Sequence, residues 1–233
     1  MIMLRKRVYG GRGKTMRKRR KVSSSYFPRV PRGVRPELKT IDDNNGGASP
    51  YSLAVTSTGA FFPLNFLATG ADINNRVGRK ITLKSVQVRL RFTPSGNPAI
   101  NDVARVMVIY DRQSNQGTPV VSDVLQTIDS AGLTSSTVFD FKSISNEERF
   151  LILQDKTFTF PQLAATMAAN AYSDFTQDTS ITTYNKLNHL CSYGQGSNYP
   201  DTGTLWLFLI GSNAPATSPT VAQWTSRVRF TDA

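Results

Sequence analysis

The chain has 233 residues, and 28 Lys and Arg against 16 Asp and Glu give it a formal net charge of +12. Its single cysteine, Cys191, excludes an intrachain disulfide, and its longest apolar run, residues 205–210, is too short to cross a bilayer. The basic N-terminus lacks the apolar stretch that a secretory signal needs. The sequence therefore predicts a soluble protein of a reducing compartment, with no membrane partner.

The positive charge is concentrated at one end of the chain. Residues 1–39 hold fourteen Lys and Arg and one acid, whereas the remaining residues hold fourteen bases and fifteen acids. A segment so charged, and so poor in large apolar residues, cannot bury enough surface to offset its ordering entropy. We therefore predict a disordered basic arm over 1–39 and a folded body over 40–233.

The arm is predicted to bind nucleic acid through phosphate charge, with little sequence preference and a steep dependence on salt. The basic run at 14–21 is also typical of a nuclear localisation signal or a solubilising tail, and these roles are compatible with binding. The stretch 10–15 resembles the end of a P-loop but lacks its first glycine and its preceding strand. The candidate nucleic-acid-binding residues are Arg5, Lys6, Arg7, Arg12, Lys14, Arg17, Lys18, Arg19, Arg20 and Lys21.

Beyond a polar loop predicted at 42–47, the pattern from about residue 49 onward is that of an all-β body. Apolar residues alternate over 86–92 and take the opposite phase at 81–83, which predicts a strand with a β-bulge near Lys84 and Ser85. Residues 103–110 are apolar on both parities apart from Arg105, which indicates a strand covered on both faces.

The rest of the body repeats the strand pattern. Further strands are predicted at 150–160, 186–193, 205–210 and 223–230, a short helix with Ser122 as its N-cap, and one or two helical turns at 162–171. Long polar loops are predicted at 94–102, 111–121, 129–148, 161–182 and 194–203. Because helical periodicity is scarce and no repeat is present, the pattern favours a sandwich or jelly roll over a βαβ fold.

Candidate catalytic groups are few. His189 and Cys191 lie two apart on one strand, so their side chains project side by side without the geometry of a nucleophile and its base, and both are predicted to face the core. The acidic pairs at 42–43 and 147–148 could help to bind calcium between subunits but lack ligand spacing, so they are interpreted as solvated loop charges. We predict no enzyme activity and no cofactor; structural calcium is possible but is not predicted.

Three segments of the body resemble a known family. They are residues 75–84 (NRVGRKITLK), residues 105–113 (RVMVIYDRQ) with Asn115, Pro119 and 123–125, and residues 149–156 (RFLILQDK) with 187–188 further on. In this order they are similar to the coat proteins of satellite tobacco necrosis virus-like particles and of small circular Rep-encoding single-stranded DNA viruses. The similarity covers most of residues 50–233.

The resemblance implies an eight-stranded single jelly roll, with strands B to I in two facing four-stranded antiparallel sheets. It places strand B within about 50–66, C at 80–93, D at 103–111, E at 150–160, F at 185–193, and a final pair at 204–211 and 221–231. One strand stays unplaced, either in 133–145 or in the loop after Phe160.

The function implied is that of a viral capsid protein whose copies form a sixty-subunit icosahedral (T=1) shell, with the arm pointing inward onto the genome. The partners implied are single-stranded nucleic acid, DNA favoured over RNA, and further copies of the chain. The nuclear-signal character of the arm adds a host import receptor and predicts location in the virion and, during assembly, in the host nucleus. The alternative is a non-viral nucleic-acid-binding or carbohydrate-binding β-sandwich module, although Trp206 and Trp224 fall in predicted strands and not in sugar-binding loops.

Overall fold

Twelve β-strands and one short helix make up the described part of the chain. A computed structural model describes residues 37–44, 53–93, 102–126, 137–160, 179–215 and 220–232, all within one compact unit, Pro36–Ala233. The elements are β1 Lys39–Asn44, β2 Leu53–Ala54, β3 Ala60–Pro63, β4 Lys80–Thr93, β5 Asp102–Asp111, α1 Val121–Val124, β6 Leu125–Gln126, β7 Phe141–Lys142, β8 Phe150–Phe160, β9 Thr179–Tyr193, β10 Pro200–Thr202, β11 Thr204–Gly211 and β12 Val221–Asp232. No helix in these ranges is long and apolar enough to cross a membrane.

The strands form two main antiparallel sheets. The first sheet has the order β1-β12-β4-β9-β10, with β2 added beside β12, and the second has the order β3-β11-β5-β8. Of the eight principal strands, the first four in the chain pair in reverse order with the last four: β1 with β12, β3 with β11, β4 with β9 and β5 with β8. This folded-over pairing, split between two sheets, makes the body a jelly roll.

The main core lies between the two sheets. Alternation along each strand turns one row of apolar side chains inward, such as Leu83, Val86 and Val88 on β4, which are fully buried. They pack in one cluster with side chains of the second sheet, including Val108 and Leu207. Burial of one aliphatic side chain stabilises the folded state by roughly 1.5–3 kcal/mol. This layer therefore supplies most of the free energy that holds the two sheets together.

The second sheet is buried on its other face as well. Met107, Ile109, Trp206 and Phe208 form a separate apolar cluster with residues of the β5–β8 connection, among them Val124. All eight residues of β11 are buried, and nine of the ten in β5. The sequence prediction of a doubly covered strand at 103–110 is therefore confirmed, and the cover is a loop instead of another sheet.

The structure also confirms the β-bulge in β4. The register of β4 against β12 shifts between Leu83 and Ser85, which lie opposite the consecutive residues Phe230 and Arg229, at the position where the apolar phase changes. One extra residue, Lys84, is accommodated there. The shift keeps both Leu83 and Val86 in the core.

The lettering that the resemblance implies is wrong by one strand. The first principal strand is β1, which is therefore strand B and is the one left unplaced. The strands placed as B, C, D, E and F are C, D, E, F and G. Within 133–145 the described residues contain only the two-residue β7, and 161–178 lies outside the described residues. β1 escapes prediction because Asp42, Asp43 and Asn44 are polar and exposed, which is also typical of a loop.

Several other predicted boundaries also differ from those in the structure. Lys39, counted with the arm, is the buried first residue of β1 and belongs to the body. The helix is capped by Val120 and not by Ser122, and β9 begins at Thr179, inside the predicted loop 161–182. The strand β10 likewise lies in the predicted loop 194–203. The predicted helical turns at 162–171 fall outside the described residues.

Removing volume from the middle of the sandwich tests the core. Leu207 is fully buried, so we expect Leu207→Ala to lower the free energy of unfolding by about 2–5 kcal/mol, because the cavity adds to the lost transfer energy. Urea unfolding of nucleic-acid-free protein measures it. Leu190→Ala, at a side chain that is 54% exposed on β9, is the matched control and should change the value by less than about 0.5 kcal/mol. Equal losses in both variants would contradict this core.

Candidate nucleic-acid interface

The outward face of the first sheet is strongly basic. Residues that alternate away from the core on β4, β9 and β12 include seven of the fourteen Lys and Arg in residues 40–233. We call this surface the basic face. Its cations are Lys80, Lys84, Arg89, Arg91, Lys186, Arg227 and Arg229.

Acidic side chains on this face are scarce. The principal strands of the first sheet contain three acids, Asp42, Asp43 and Asp232, and only Asp42 shares the outward parity. Asp42 accepts hydrogen bonds from Arg227, with Nε–Oδ1 at 2.7 Å, and this contact lowers the pKa of the carboxyl group. The face therefore keeps a large excess of positive charge.

An exposed aromatic ring lies among these cations. Tyr184 on β9 is 58% exposed and lies opposite Gln87, which lies opposite Arg227, so the three form one row across the sheet. In the next row Arg89 lies between Thr182 of β9 and Thr225 of β12. The combination is a polar, cationic surface with one flat apolar group.

The first described strand, β1, forms an edge of this same sheet. Lys39, at the start of β1, has a buried side chain whose Nζ donates to the carbonyl of Asn75 at 3.0 Å and pairs with Asp232 at 3.1 Å. The backbone N–H of Thr40 donates to the carbonyl of Ile73 at 3.0 Å. These contacts fix the start of β1 against the rest of the body.

All ten arm residues predicted to bind nucleic acid lie outside the described residues. The basic face is a candidate surface that the sequence did not identify. Part of this surface could have been found in the sequence, because Arg89 and Arg91 alternate with apolar residues on β4, as Arg227 and Arg229 do on β12. Only the pairing of β4 with β12 shows that the two rows lie side by side.

Comparison with known proteins gives the family. The family model described as "Satellite tobacco necrosis virus coat protein" matches residues 50–233. The chain belongs to this coat protein family. Its role is therefore that of a viral capsid protein, a structural subunit of the virion shell that surrounds packaged nucleic acid.

Individual proteins give weaker likenesses. No curated protein matches the sequence. A solved structure described as Desmodium yellow mottle tymovirus is 12% identical, with 99% of this chain and 96% of that chain covered and a TM-score of 0.33. Another, from "the T13 IBDV viral particle", is 12% identical over 86% of this chain and 40% of that chain, with a TM-score of 0.12. The assignment rests on the family match, since both scores are low.

Two ion pairs join the segments that carry the family resemblance in this coat protein. Arg105 on β5 makes a bidentate pair with Asp155 on β8, with Nε–Oδ1 at 2.9 Å and Nη2–Oδ2 at 2.7 Å. Arg149 makes another with the fully buried Asp111, at 3.0 and 2.9 Å, and this contact raises the pKa of the Arg149 guanidinium. Bidentate geometry gives these pairs direction as well as charge.

Arg76 forms a third set of internal contacts. Its guanidinium donates to the carbonyls of Leu67, Gly78 and Ser197 and lies 4.4 Å from the centroid of the Tyr193 ring. Only 1% of the residue is exposed. The coat protein thus uses Arg76, Arg105 and Arg149 to hold the fold.

The loop over the second sheet carries an exposed apolar group. Phe139, Phe141 and Ile144 are 70%, 72% and 74% exposed. The loop is held in place beneath them, because Nη1 of Arg105 donates to the carbonyls of Val138 and Asp140 at 3.1 and 2.7 Å. A fixed backbone that presents large apolar side chains to solvent is typical of a protein–protein contact.

The arrangement around His189 and Cys191 does not form a nucleophilic site. The imidazole stacks on the Tyr110 ring with centroids 4.5 Å apart, and burial lowers the pKa of His189. Cys191 lies in the main core, and burial raises the pKa of its thiol to about 12. Trp206 and Trp224 are also buried, so neither indole offers a platform for a sugar.

The acidic pairs are engaged in local contacts. Asp42 pairs with Arg227, and Glu147 pairs with Lys142 at 3.0 Å. Among the residues that the structure describes, no group of three or more His, Cys, Asp or Glu could hold a metal ion.

The buried thiol gives a direct test of the core around β9. At pH 8 we expect Cys191 in the folded chain to react with a thiol reagent about a thousandfold more slowly than in the unfolded chain, because a pKa near 12 leaves very little thiolate. Labelling rates with and without denaturant measure it. Comparable rates in the two states would show that the thiol is accessible and ionisable, contrary to its position here.

Proposed function

We propose that this coat protein assembles into a sixty-subunit, T=1 icosahedral shell and that its basic arm holds single-stranded nucleic acid inside. The candidate binding residues are those predicted from the sequence, between Arg5 and Lys21. Binding is electrostatic and independent of sequence, because the arm offers many cations and few aromatic rings. The phosphate backbone is then the ligand, and released counterions provide the driving force.

The observation that carries this proposal is the partition of charge. Residues 1–39 contain fourteen bases and one acid, whereas the jelly-roll body is close to neutral. A body that must pack against copies of itself gains from low net charge, and an arm that must neutralise a polyanion gains from high charge. Sixty arms would bring about 780 positive charges, enough to neutralise on the order of a kilobase of single strand.

Single-stranded DNA is the favoured genome, and the host nucleus the favoured site of assembly. The basic run at 14–21 is typical of the signals that import receptors recognise. The resemblance to coat proteins of circular single-stranded DNA viruses supports the same choice.

Copies of the chain are proposed to meet at the exposed apolar group on the β5–β8 connection. Shell formation requires contacts between copies, and interface cores are poor in charge and rich in aromatic residues. Phe139, Phe141 and Ile144 fit this description on a loop that Arg105 already fixes. A neighbouring subunit would therefore bind them without the entropy cost of ordering the loop.

Neutralising part of the arm tests the packaging role. We expect replacement of Arg17, Lys18, Arg19, Arg20 and Lys21 by Gln to reduce the slope of log affinity against log salt by up to about 3.5, at roughly 0.7 for each phosphate that the variant no longer neutralises. Fluorescence anisotropy with a short single-stranded oligonucleotide over a salt series measures the slope. A slope equal to that of the wild-type chain would remove the arm from the binding site.

The packaged polymer is identified by digesting the nucleic acid extracted from particles with DNase or with RNase. Degradation by DNase alone is expected. Degradation by RNase alone would overturn the choice of DNA while leaving packaging intact. Particles of wild-type protein that contain no nucleic acid at all would overturn packaging.

Introducing charge into the apolar group tests self-association. We expect Phe141→Asp to shift the chain from particles to free subunits, because a carboxylate would be buried without a partner at the contact. Electron microscopy and sedimentation measure the shift. Phe141→Leu keeps the apolar character and should still assemble. Since Phe141 is 72% exposed, both variants should unfold at about the wild-type temperature. Normal assembly of Phe141→Asp would exclude this loop as a contact.

A further inference from the structure

The basic face is the strongest unassigned feature of the body. We propose that it is a second binding site for single-stranded nucleic acid, in which the arginines and lysines hold phosphates and Tyr184 stacks on a base. This inference rests on the proposed function, that the chain packages nucleic acid, and adds a folded site to the arm.

The first argument is the cost of the charge arrangement. Arg89 on β4 lies opposite Thr225 of β12 and is therefore the diagonal neighbour of Arg227, at about 7–8 Å. Like charges at this separation on one face of a sheet repel each other. An anion that lies across both strands would attract these cations and so offset their mutual repulsion.

The second argument is the contrast with the other cations of the body. Arg76, Arg105 and Arg149 are held by internal carbonyls or carboxylates. On the basic face, the side chains of Lys80 and Arg89 make no hydrogen bond or ion pair to any residue within the described ranges, and both are exposed. Cations that are not engaged in holding the fold remain available for a ligand.

The third argument is the position of Tyr184. Arg89 is its diagonal neighbour across β4 and β9, a separation of about 7–8 Å that long side chains can span. Proteins that bind single strands combine a cationic groove with aromatic rings, on which unpaired bases stack. A surface that contacted only acidic protein side chains would gain nothing from an exposed ring in the middle of its charges.

The fourth argument is shape. Two shallow grooves, of about 280 and 460 Å³, share Arg89 and Thr225 in their linings. Gln87 and Arg227 line the first, and Arg91 lines the second. Together they give a continuous path over the sheet, on which several phosphates of one strand could lie.

The test uses the full-length chain and a short fluorescent oligothymidylate over a salt series. The variant Arg89→Gln/Arg91→Gln should reduce the slope of log affinity against log salt by about 1.4, because two phosphates are no longer neutralised. Arg89→Lys/Arg91→Lys keeps the charges and should keep the slope. Lys156→Gln, an exposed lysine of β8 on the other sheet, is the matched control and should also leave the slope unchanged.

The stacking role has a separate readout. Tyr184→Ala should weaken binding about fivefold or more with no change in the salt slope, because stacking adds affinity without neutralising a phosphate. Tyr184→Phe should bind like the wild-type chain. Loss of affinity in both variants alike would show that the ring does not act by stacking.

The outcomes separate the two proposals. If the wild-type chain shows no salt-dependent binding, the packaging proposal fails. If the arm variant lowers the slope but Arg89→Gln/Arg91→Gln does not, the basic face is excluded and the arm remains. If Arg89→Gln/Arg91→Gln keeps the slope but no longer forms particles, the face is a contact between copies, which also overturns this inference.

Discussion

The requirement that the second sheet be covered on both faces governs the rest of this coat protein. Its outer face carries Trp206 and Phe208, which cannot be left in water without a large loss of stability. The β5–β8 connection must therefore lie across the sheet, and the pairs Arg105–Asp155 and Asp111–Arg149 hold its two sides. Removing one partner of such a half-buried pair would leave the other charge uncompensated, so the pairs fix position more than they add stability.

This constraint makes the two outer surfaces of the jelly roll chemically different. The covered side ends in a rigid loop with exposed phenylalanines, suited to another protein surface. The uncovered side is a polar sheet face with an excess of Arg and Lys, suited to a polyanion. A shell subunit that surrounds nucleic acid needs both kinds of contact, and we propose that these two surfaces, on opposite sheets, supply them.

The segments that carry the family resemblance are explained by packing and not by chemistry at a site. Arg76, Arg105, Asp111, Arg149 and Asp155 all come from those segments, and each is held in an internal contact. Such residues constrain their surroundings, because a buried guanidinium needs several hydrogen-bond acceptors at fixed positions. The family signature therefore marks how the body folds, while the two surfaces proposed to bind partners are built from other positions.

The sequence by itself determined the all-β class, the charged arm, the bulge at Lys84 and the doubly covered β5, because these depend on local alternation and composition. It missed β1, since an exposed edge strand of polar residues has no apolar period, and it misplaced the cap of α1. Only the tertiary structure decided which strands are neighbours. That step brings Arg89 beside Thr225 and opposite Thr182, joins Asp111 to Arg149, and shows that Lys39 belongs to the body. Pairing between strands that are distant in the chain depends on how all the strands pack into one core, and a local sequence pattern carries no information about that packing.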